Sequence, residues 1–413
     1  MKFEVLNALD YERILKELDA PSTKEIAASR LAQLKIPNKK SEKYRYFDIE
    51  KLMSKDWDIE PCKYDSFSKE GKSIKIENGS LNIACDIDGV EVEIKEFTDI
   101  ESEHFDPLYY LSHLLNKKSI IIRVSKDAKF NIEHIFNVSD KLITYNIVIL
   151  LDANVHADIY EKYSGDARDS FVLGGYDIFV SKDATFRYTK SQTLNENLYT
   201  PIFTTRYQVD KNATLKLGTF EFAKGDGLNL FRAELEENAN IEASHLLYGN
   251  GAIKNGVVSE IVHEGKSSNS SQNAKSILDN KARGIFDALI RVQNSAKWTK
   301  AHQNSKAILL HSGAYMASKP QLEIYIDDLE ASHGSTTGQL DEKQLFYLRS
   351  RGIAKSEAKK MLIIAFANEI IDTIEDEYLK NKIHSEFEKA YYGVSDLECI
   401  QTCHECEDMI LKD

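Results

Sequence analysis

The chain has 413 residues, with 53 Lys and Arg against 66 Asp and Glu, which gives a formal net charge of −13. This acidic balance argues against nucleic acid as a main partner, because phosphate binding needs a basic surface. The hydrophobic content of 42% is typical of a globular protein, and the length allows two or three domains. The chain starts with a charged amphipathic stretch, and its longest near-apolar run is about half a membrane span. We therefore expect a soluble, cytoplasmic protein with no membrane partner.

Residues 1–115 predict a helical and mixed cap domain. Apolar residues recur every three to five positions through 1–35, which predicts helix. The tyrosine-rich segment 41–53, SEKYRYFDIEKLM, predicts a further short helix, and 81–83 and 90–94 predict short strands.

From 116 to 338 the pattern predicts one strand after another. Segments rich in Val, Ile, Tyr and Thr predict strands at 119–124, 143–151, 177–180, 204–209 and 289–292. A corner signature recurs between strands, with a small residue near Asp or Asn, and its alanines are Ala128, Ala153, Ala184, Ala213, Ala239 and Ala296. Most are about 25 to 31 residues apart, a period typical of a solenoid whose coils cover one another. The longer interval before Ala296 contains 263–275, which we interpret as a polar loop.

After Gly338 the period becomes helical. Helices are predicted at 341–350, 355–373 and about 376–391, within a C-terminal helical domain at 339–392. The predicted buried face of the second helix consists of Ala358, Met361, Leu362, Ala365, Phe366 and Ile370.

The residues 393–413 form an acidic, cysteine-containing tail. Its sequence CIQTCHEC contains Cys399, Cys403, His404 and Cys406. Three thiols and an imidazole so close together could hold Zn²⁺ or an iron–sulfur cluster, and an incidental tail is the alternative.

Two stretches resemble enzyme signatures, and both lack a feature that the chemistry needs. Gly265-Lys266-Ser267 resembles the end of a phosphate-binding loop, but Glu260 stands where that motif needs glycine. Asp327 and Asp328, beside Glu330, could supply the acid and base of a polysaccharide-cleaving solenoid. Adjacent residues of a strand point to opposite faces, so Asp327 and Asp328 cannot easily act on the two sides of one glycosidic bond.

The two patterns meet at 320–353. Leu322, Ile324 and Ile326 alternate with other residues and predict a strand, and Ser332–Ser335 is predicted to form a polar turn. His333 lies in this turn and is a candidate ligand, although a single histidine is more often structural.

The segment SKPQLEIYIDDLEASHGSTTGQLDEKQLFYLRSRGI, 318–353, resembles the SufB/SufD family of iron–sulfur cluster assembly scaffolds. The likeness extends to Gly284-Ile285-Phe286, to Gln303-Asn304 and to the early segment 41–46. The Ser-His-Gly sequence, the length and the short N-terminal helical part are more similar to the SufD branch than to SufB.

This resemblance implies a mainly β fold, a right-handed parallel β-helix with helical N-terminal and C-terminal domains. It also implies a non-catalytic scaffold that pairs with a SufB-like subunit through the β-helix and docks a SufC-like ATPase through its C-terminal helices, as in a SufBCD complex. A transient iron–sulfur cluster would form at the subunit interface with His333 as a ligand. Ala331 replaces the cysteine that often precedes Ser-His-Gly, so a thiol at this position cannot be required.

Alternatives remain at this stage. A SufB-like scaffold could use its own Cys399, Cys403 and Cys406 as ligands, and a β-helix carbohydrate-active enzyme is a more distant option. The isolated chain could form a homodimer. A flavin has no support in the sequence.

Overall fold

The computed structural model describes residues 2–3, 22–38, 40–60, 62–63, 67–96, 104–192, 199–222 and 224–393. The fold is mainly β, a parallel β-solenoid of about seven turns with helices toward both termini, which confirms the predicted fold class. Most of the residues predicted to be helical before Ser22, and the cysteine tail, lie outside the described residues.

Twenty-two strands were identified in the described residues. They are β1 Lys2–Phe3, β2 Trp57–Glu60, β3 Ser68–Lys69, β4 Ser73–Glu77, β5 Ser80–Ala84, β6 Val90–Lys95, β7 Ser119–Val124, β8 Ala128–Phe136, β9 Lys141–Leu151, β10 His156–Gly165, β11 Ser170–Val180, β12 Thr185–Gln192, β13 Tyr199–Val209, β14 Thr214–Glu221, β15 Gly227–Leu235, β16 Asn240–Gly249, β17 Lys254–His263, β18 Asn269–Leu278, β19 Arg283–Val292, β20 Thr299–Leu309, β21 Tyr315–Ile324 and β22 Leu329–Gly338.

The described α-helices are α1 Ser22–Leu34, α2 Ile49–Met53, α3 Pro107–Leu115, α4 Glu342–Ser350, α5 Lys355–Ile371 and α6 Glu377–Tyr392. None of these helices is both long and apolar enough to span a bilayer.

Each solenoid coil contributes one strand to each of two sheets. Sheet A runs from β9 through the odd-numbered strands to β21, and sheet B runs from β8 through the even-numbered strands to β22. Neighbouring strands in both series are parallel and in register. The two inward faces enclose the main apolar core.

The strands predicted from residue 119 onward all belong to sheet A. Strands β15 and β17 of the same sheet, and the strands of sheet B between β8 and β20, were missed. The outer face of sheet A packs against α1 and α3, so both of its faces are buried and its strands form continuous apolar runs. Sheet B strands such as β12 alternate buried and half-buried positions, which gives a more polar sequence. The apolar runs therefore revealed at most one strand per coil.

The corners between strands share one backbone conformation. The sequence predicted the positions of some of these corners but not of all. A residue with positive φ precedes a buried one at Asn154-Val155, Asp183-Ala184, Asn212-Ala213 and Asn238-Ala239. Asn and Asp tolerate this left-handed conformation better than other non-glycine residues. The predicted corner at Ala153 was thus two positions early, since Ala153 is exposed, and Ala128 lies in β8.

The predicted polar loop at 263–275 is present only at 264–268, and the prediction was wrong for the residues of β18. Ser267 has a φ of 57° and is followed by the buried Ser268, so this segment contains the corner missing from the long interval. Strand β18 follows directly and pairs with β16 and β20. Its serine and asparagine residues occupy a regular strand because backbone pairing on both sides outweighs their low strand propensity.

The C-terminal helices begin and end close to the predicted positions, but the buried face of α5 differs. Met361 and Ala365 are exposed, whereas Ile363 and Ala367 pack against the outer face of sheet B. The helix is apolar on nearly all sides around MLIIAFA, so the sequence period could not identify one face.

The corner geometry predicts that Ala213→Leu destabilises the protein by about 1–3 kcal/mol, because a larger side chain cannot fit at a fully buried corner. Urea unfolding would measure the change. Ala153→Leu, at an exposed corner position, is the matched control and should change stability by less than about 0.5 kcal/mol. Equal effects of the two substitutions would contradict the observed corner register.

Candidate functional site at the open end of the solenoid

His333 lies within β22 and not in a turn, so the predicted turn at Ser332–Ser335 was wrong. Strand β22 pairs with β20 over its whole length, with His333 opposite Gln303. Alternate residues share a face, and Ala331 packs against the solenoid core while Gln303 is buried. His333 therefore belongs to the inward-facing series, yet it is exposed because its strand is the last of sheet B.

We use the term open end for β21 and β22, the last strands of the two sheets. Among the described residues, neither strand has a partner on its outer edge. The inward-facing Ile324 of β21 has 43% of its surface exposed, and Trp298 and Tyr325 at the adjacent corners are also exposed. Such an edge combines unpaired backbone groups with apolar side chains, which favours pairing with another strand.

Polar side chains around His333 are linked across the last strands. Ser332 Oγ lies 2.8 Å from His302 Nδ1 on the outer face of sheet B. Ser335 Oγ donates to Ser318 Oγ at 2.9 Å, which connects β22 with β21. These contacts hold the strand that carries the imidazole.

This chain supplies few metal ligands near His333. In the described part of the chain, no three His, Cys, Asp or Glu side chains come close enough together to hold a metal ion. The predicted ligands Cys399, Cys403 and Cys406 lie outside the described residues. A single imidazole is a weak site alone, so any metal here would need further ligands.

Two other cysteines belong to the structural core. Cys62 Sγ donates to the carbonyl oxygen of Thr144 at 2.9 Å, and burial raises the pKa of the Cys62 thiol to about 12. Cys85 is fully buried in the solenoid core. A protonated, buried thiol is a poor metal ligand, because the thiolate is the binding form.

Of the candidate carboxylates near the open end, those of Asp328 and Glu330 form ion pairs with lysines at the surface. Asp327 and Asp328 lie in the corner between β21 and β22, where the Asp328 carbonyl accepts a hydrogen bond from the Trp298 N–H at 2.6 Å. The Asp328 carboxylate is 3.7 Å from Lys297 Nζ, and that of Glu330 is 3.6 Å from Lys300 Nζ. Both carboxylates thus link neighbouring coils at the surface.

The C-terminal helices are attached to the outer face of sheet B. Lys275 Nζ donates to the carbonyl oxygen of Phe366 in α5 at 3.0 Å, and Ser191 Oγ donates to Glu386 of α6 at 2.7 Å. Burial raises the pKa of Glu386. By contrast, α4 leaves Phe346 and Tyr347 exposed by 72% and 56%.

Charged residues inside the solenoid were missed by the sequence analysis. Glu161 is fully buried, with its carboxylate 2.7 Å from His134 Nε2 and 3.5 Å from Lys190 Nζ. The hydroxyl of Tyr176 donates to it at 2.9 Å, and that of Tyr188 also donates. Burial would raise the pKa of Glu161, but Lys190 and His134 outweigh it and hold the pKa at about 2.

A second buried carboxylate joins sheet A to α3. Asp177 accepts hydrogen bonds from Tyr109 at 2.6 Å and from Arg206 at 2.9 Å, and His113 Nε2 lies 3.0 Å from it. Burial opposes ionisation, but His113 and Arg206 lower the pKa of Asp177. Asp177 is the only charged residue of the apolar strand β11, which was an available sequence signal, whereas β10 carries several charged residues and gave no such signal for Glu161.

Residues 134–366 match the family model described as SUF system FeS cluster assembly, SufBD core domain. The match covers more than half of the chain. This protein belongs to the SufBD family.

Individual SufBD relatives align over shorter regions. The Escherichia coli iron-sulfur cluster assembly protein SufD is 44% identical over 115 residues, 28% of this chain and 27% of that protein. A SufBD family protein of Synechocystis is 41% identical over 100 residues, 24% of this chain and 22% of that protein. This chain therefore aligns with about a quarter of the length of either relative.

A longer alignment covers most of the chain. A SufBD family protein of Pyrococcus horikoshii is 24% identical over 305 residues, 70% of this chain and 68% of that protein. Relatives in Escherichia coli and Bacillus subtilis carry the name SufD, which confirms the expected likeness to SufD within the SufBD family.

The buried network of this SufBD protein predicts that Glu161→Gln destabilises it by about 3 kcal/mol at pH 7, because Lys190 would lose its buried counter-ion. The folded-state pKa of Glu161 is about 2, below its ordinary value of 4.5. The carboxylate therefore stabilises the fold above about pH 4.5, and this stabilisation is lost as the pH falls toward 2.

Urea unfolding of both proteins between pH 7 and pH 3 would measure this difference, which should shrink below pH 4.5. Glu330→Gln removes an exposed carboxylate near a lysine and is the matched control, with a small effect expected at every pH. A difference for Glu161→Gln that stays constant with pH would contradict the ionised pair.

Proposed function

We propose that this chain is a non-catalytic scaffold subunit of a cytoplasmic iron–sulfur cluster assembly complex. It would supply His333 as one ligand of a nascent cluster, which is the cargo of the complex, and a second subunit would supply the others. The observation that carries this proposal is a single exposed imidazole on the last strand of a SufBD solenoid, a strand whose outer edge has no partner among the described residues.

A single imidazole ligand suits a site from which the cluster must later be released. A neutral imidazole is a common ligand of iron, and alone it binds less firmly than a set of thiolates. Residue 331 is alanine, so this strand adds no thiol beside His333. The backbone pairing of β22 with β20 holds the ligand on a regular strand while its outer side stays accessible.

The proposed partner is a SufB-like subunit that pairs with the open end. A ladder of alternating charges crosses the outer face of sheet A toward this edge. Arg232 bonds to Glu260 at 2.8 Å, Arg291 bonds to Glu260 at 2.8 Å, and Arg291 also bonds to Glu323 of β21 at 2.8 Å. The ladder ends on an acid, so a partner strand with Arg or Lys beside Glu323 would continue it.

A SufC-like ATPase is proposed to dock on the C-terminal helices. The exposed Tyr347 of α4 lines an open depression of about 380 Å³ together with Leu348 and Leu362, and Phe346 is exposed on the same helix. Exposed aromatic residues are frequent anchors of protein interfaces. Helices α5 and α6 bond directly to sheet B, so a movement of these helices would act on the solenoid.

The ligand role predicts that His333→Ala abolishes cluster delivery but leaves the fold and the binding of a SufB-like subunit unchanged. The side chain is exposed, so its truncation admits water to the last strand and should cost little stability. Activity of an iron–sulfur enzyme, in cells that depend on this chain for cluster assembly, would measure delivery. His302→Ala removes a histidine from the outer face of the adjacent strand and should retain activity. Normal maturation with His333→Ala would refute the ligand role.

The charge ladder predicts that Glu323→Lys weakens binding of the SufB-like subunit by about tenfold, because a cation would face both Arg291 and the proposed basic partner residue. Titration calorimetry at two salt concentrations would measure the affinity. Glu93→Lys makes the same charge change on β6, in the first part of the solenoid, and should bind normally. Equal affinities for the two variants would exclude charge recognition at this edge.

A further inference from the structure

Three side chains occupy one register position on the last three strands of sheet B. Gln272 of β18 is opposite Gln303 of β20, and Gln303 is opposite His333 of β22. In a parallel, in-register sheet such neighbours point to the same side. Both glutamines are almost completely buried, so this side is the solenoid interior, and His333 is the last member of the row.

The amide of Gln303 can adopt only one orientation. Its Nε2 donates a hydrogen bond to the backbone carbonyl oxygen of Gln321 at 2.7 Å. A carbonyl oxygen only accepts, so the nitrogen end of the amide must face β21, and Oε1 must face away from it. A flipped amide would place two acceptors against each other.

The oxygen of Gln303 is a buried acceptor without a partner. Among the described residues, no donor bonds to Gln303 Oε1, although the atom is inaccessible to solvent. Buried polar atoms are nearly always hydrogen-bonded, because an unpaired one loses its bond to water without compensation. This atom therefore requires a donor, and the neighbouring register position on β22 belongs to His333.

The preceding glutamine shows that the unpaired oxygen is specific to Gln303. Gln272 Oε1 accepts a hydrogen bond from Ser259 Oγ at 3.2 Å. Its Nε2 lies 3.0 Å from Ser259 Oγ and 3.2 Å from His245 Nε2. Both ends of the Gln272 amide thus have partners, and only the member beside His333 lacks one.

We propose that Gln303 is a positioning residue for His333, whose ring N–H donates a hydrogen bond to Gln303 Oε1. A neutral imidazole has one donor and one acceptor nitrogen, so this bond would fix the tautomer. The other nitrogen would then carry the lone pair and point away from the glutamine, toward the exposed side of the last strand. Partners of this kind orient most metal-binding histidines.

This inference rests on the proposed function only for the identity of the ligand that the His333 imidazole binds. The hydrogen bond itself requires no cluster and no second subunit. The donor is a side chain of the same chain, one strand away and in register. The fixed amide of Gln303 makes the direction of the bond unambiguous, since Oε1 can only accept.

Nitrogen-15 NMR of the full chain with labelled histidine rings would test the hydrogen bond, with the His333 signals assigned by their loss in His333→Ala. The wild-type ring should be predominantly one tautomer. Gln303→Met removes the acceptor and should move the two ring nitrogens toward the shifts of a freely exchanging imidazole. Gln303→Glu keeps the size and places a charged, stronger acceptor there, which should shift the signal of the protonated ring nitrogen.

Gln272→Met is the matched control, because it removes a buried amide of the same register one strand further from His333. It should lower stability and leave the His333 signals unchanged. Identical His333 signals in the wild type and in Gln303→Met, or in Gln303→Glu if the first variant does not fold, would overturn the inference. That result would indicate that water satisfies Gln303 Oε1.

Cluster delivery separates this inference from the proposed function. Gln303→Met should slow delivery by about tenfold, the usual cost of losing a residue that orients a ligand. Altered His333 signals together with normal delivery by His333→Ala would refute the ligand role and retain the hydrogen bond. Unaltered signals together with loss of delivery in His333→Ala would retain the ligand role and refute the positioning by Gln303.

Discussion

The hydrogen bonding of one coil to the next is the constraint on which the rest of this structure depends. The strands from β8 to β20 pair on both edges with their neighbours, whereas β21 and β22 of the last coil pair on one edge only within the part of the chain that the structure describes. Backbone N–H and C=O groups must find partners, and stacking supplies them to each coil that has another coil on both sides. A last strand with one unpaired edge therefore follows from the fold. In this SufBD protein it is also the strand that carries the candidate ligand.

Buried charges restrict the register in which one coil stacks on the next, which apolar residues alone would not do. Valine, isoleucine and tyrosine fill most interior positions and could pack in several registers. Glu161 bonds to His134 of the coil before and lies near Lys190 of the coil after it, so a shifted register would leave a charge unpaired. We hypothesise that such networks select one register, as buried polar groups do in some other proteins. Asp177 has a related role, because it fixes α3 against sheet A.

The sequence predicted the solenoid period, the helical C-terminal part and the residue at the candidate site. It did not predict that each coil has two strands, because the strands of sheet B carry polar residues on their outer face. Ser332–Ser335 contains residues common in turns, and only its pairing with β20 makes it a strand. His333 was identified through a family resemblance, whereas the role inferred for Gln303 depends on register between residues 30 positions apart. Such neighbours cannot be recognised without the fold.

The acidic residues at the open end also affect how the free chain associates with itself. Both terminal strands carry an acidic residue, Glu323 on β21 and Glu330 on β22. Two identical copies that met end to end would bring like charges to the same seam, which raises the free energy of self-pairing. An exposed strand edge is an aggregation hazard, and charged residues are a common protection against it. The acids that would recruit a basic partner would therefore also keep newly made chains apart.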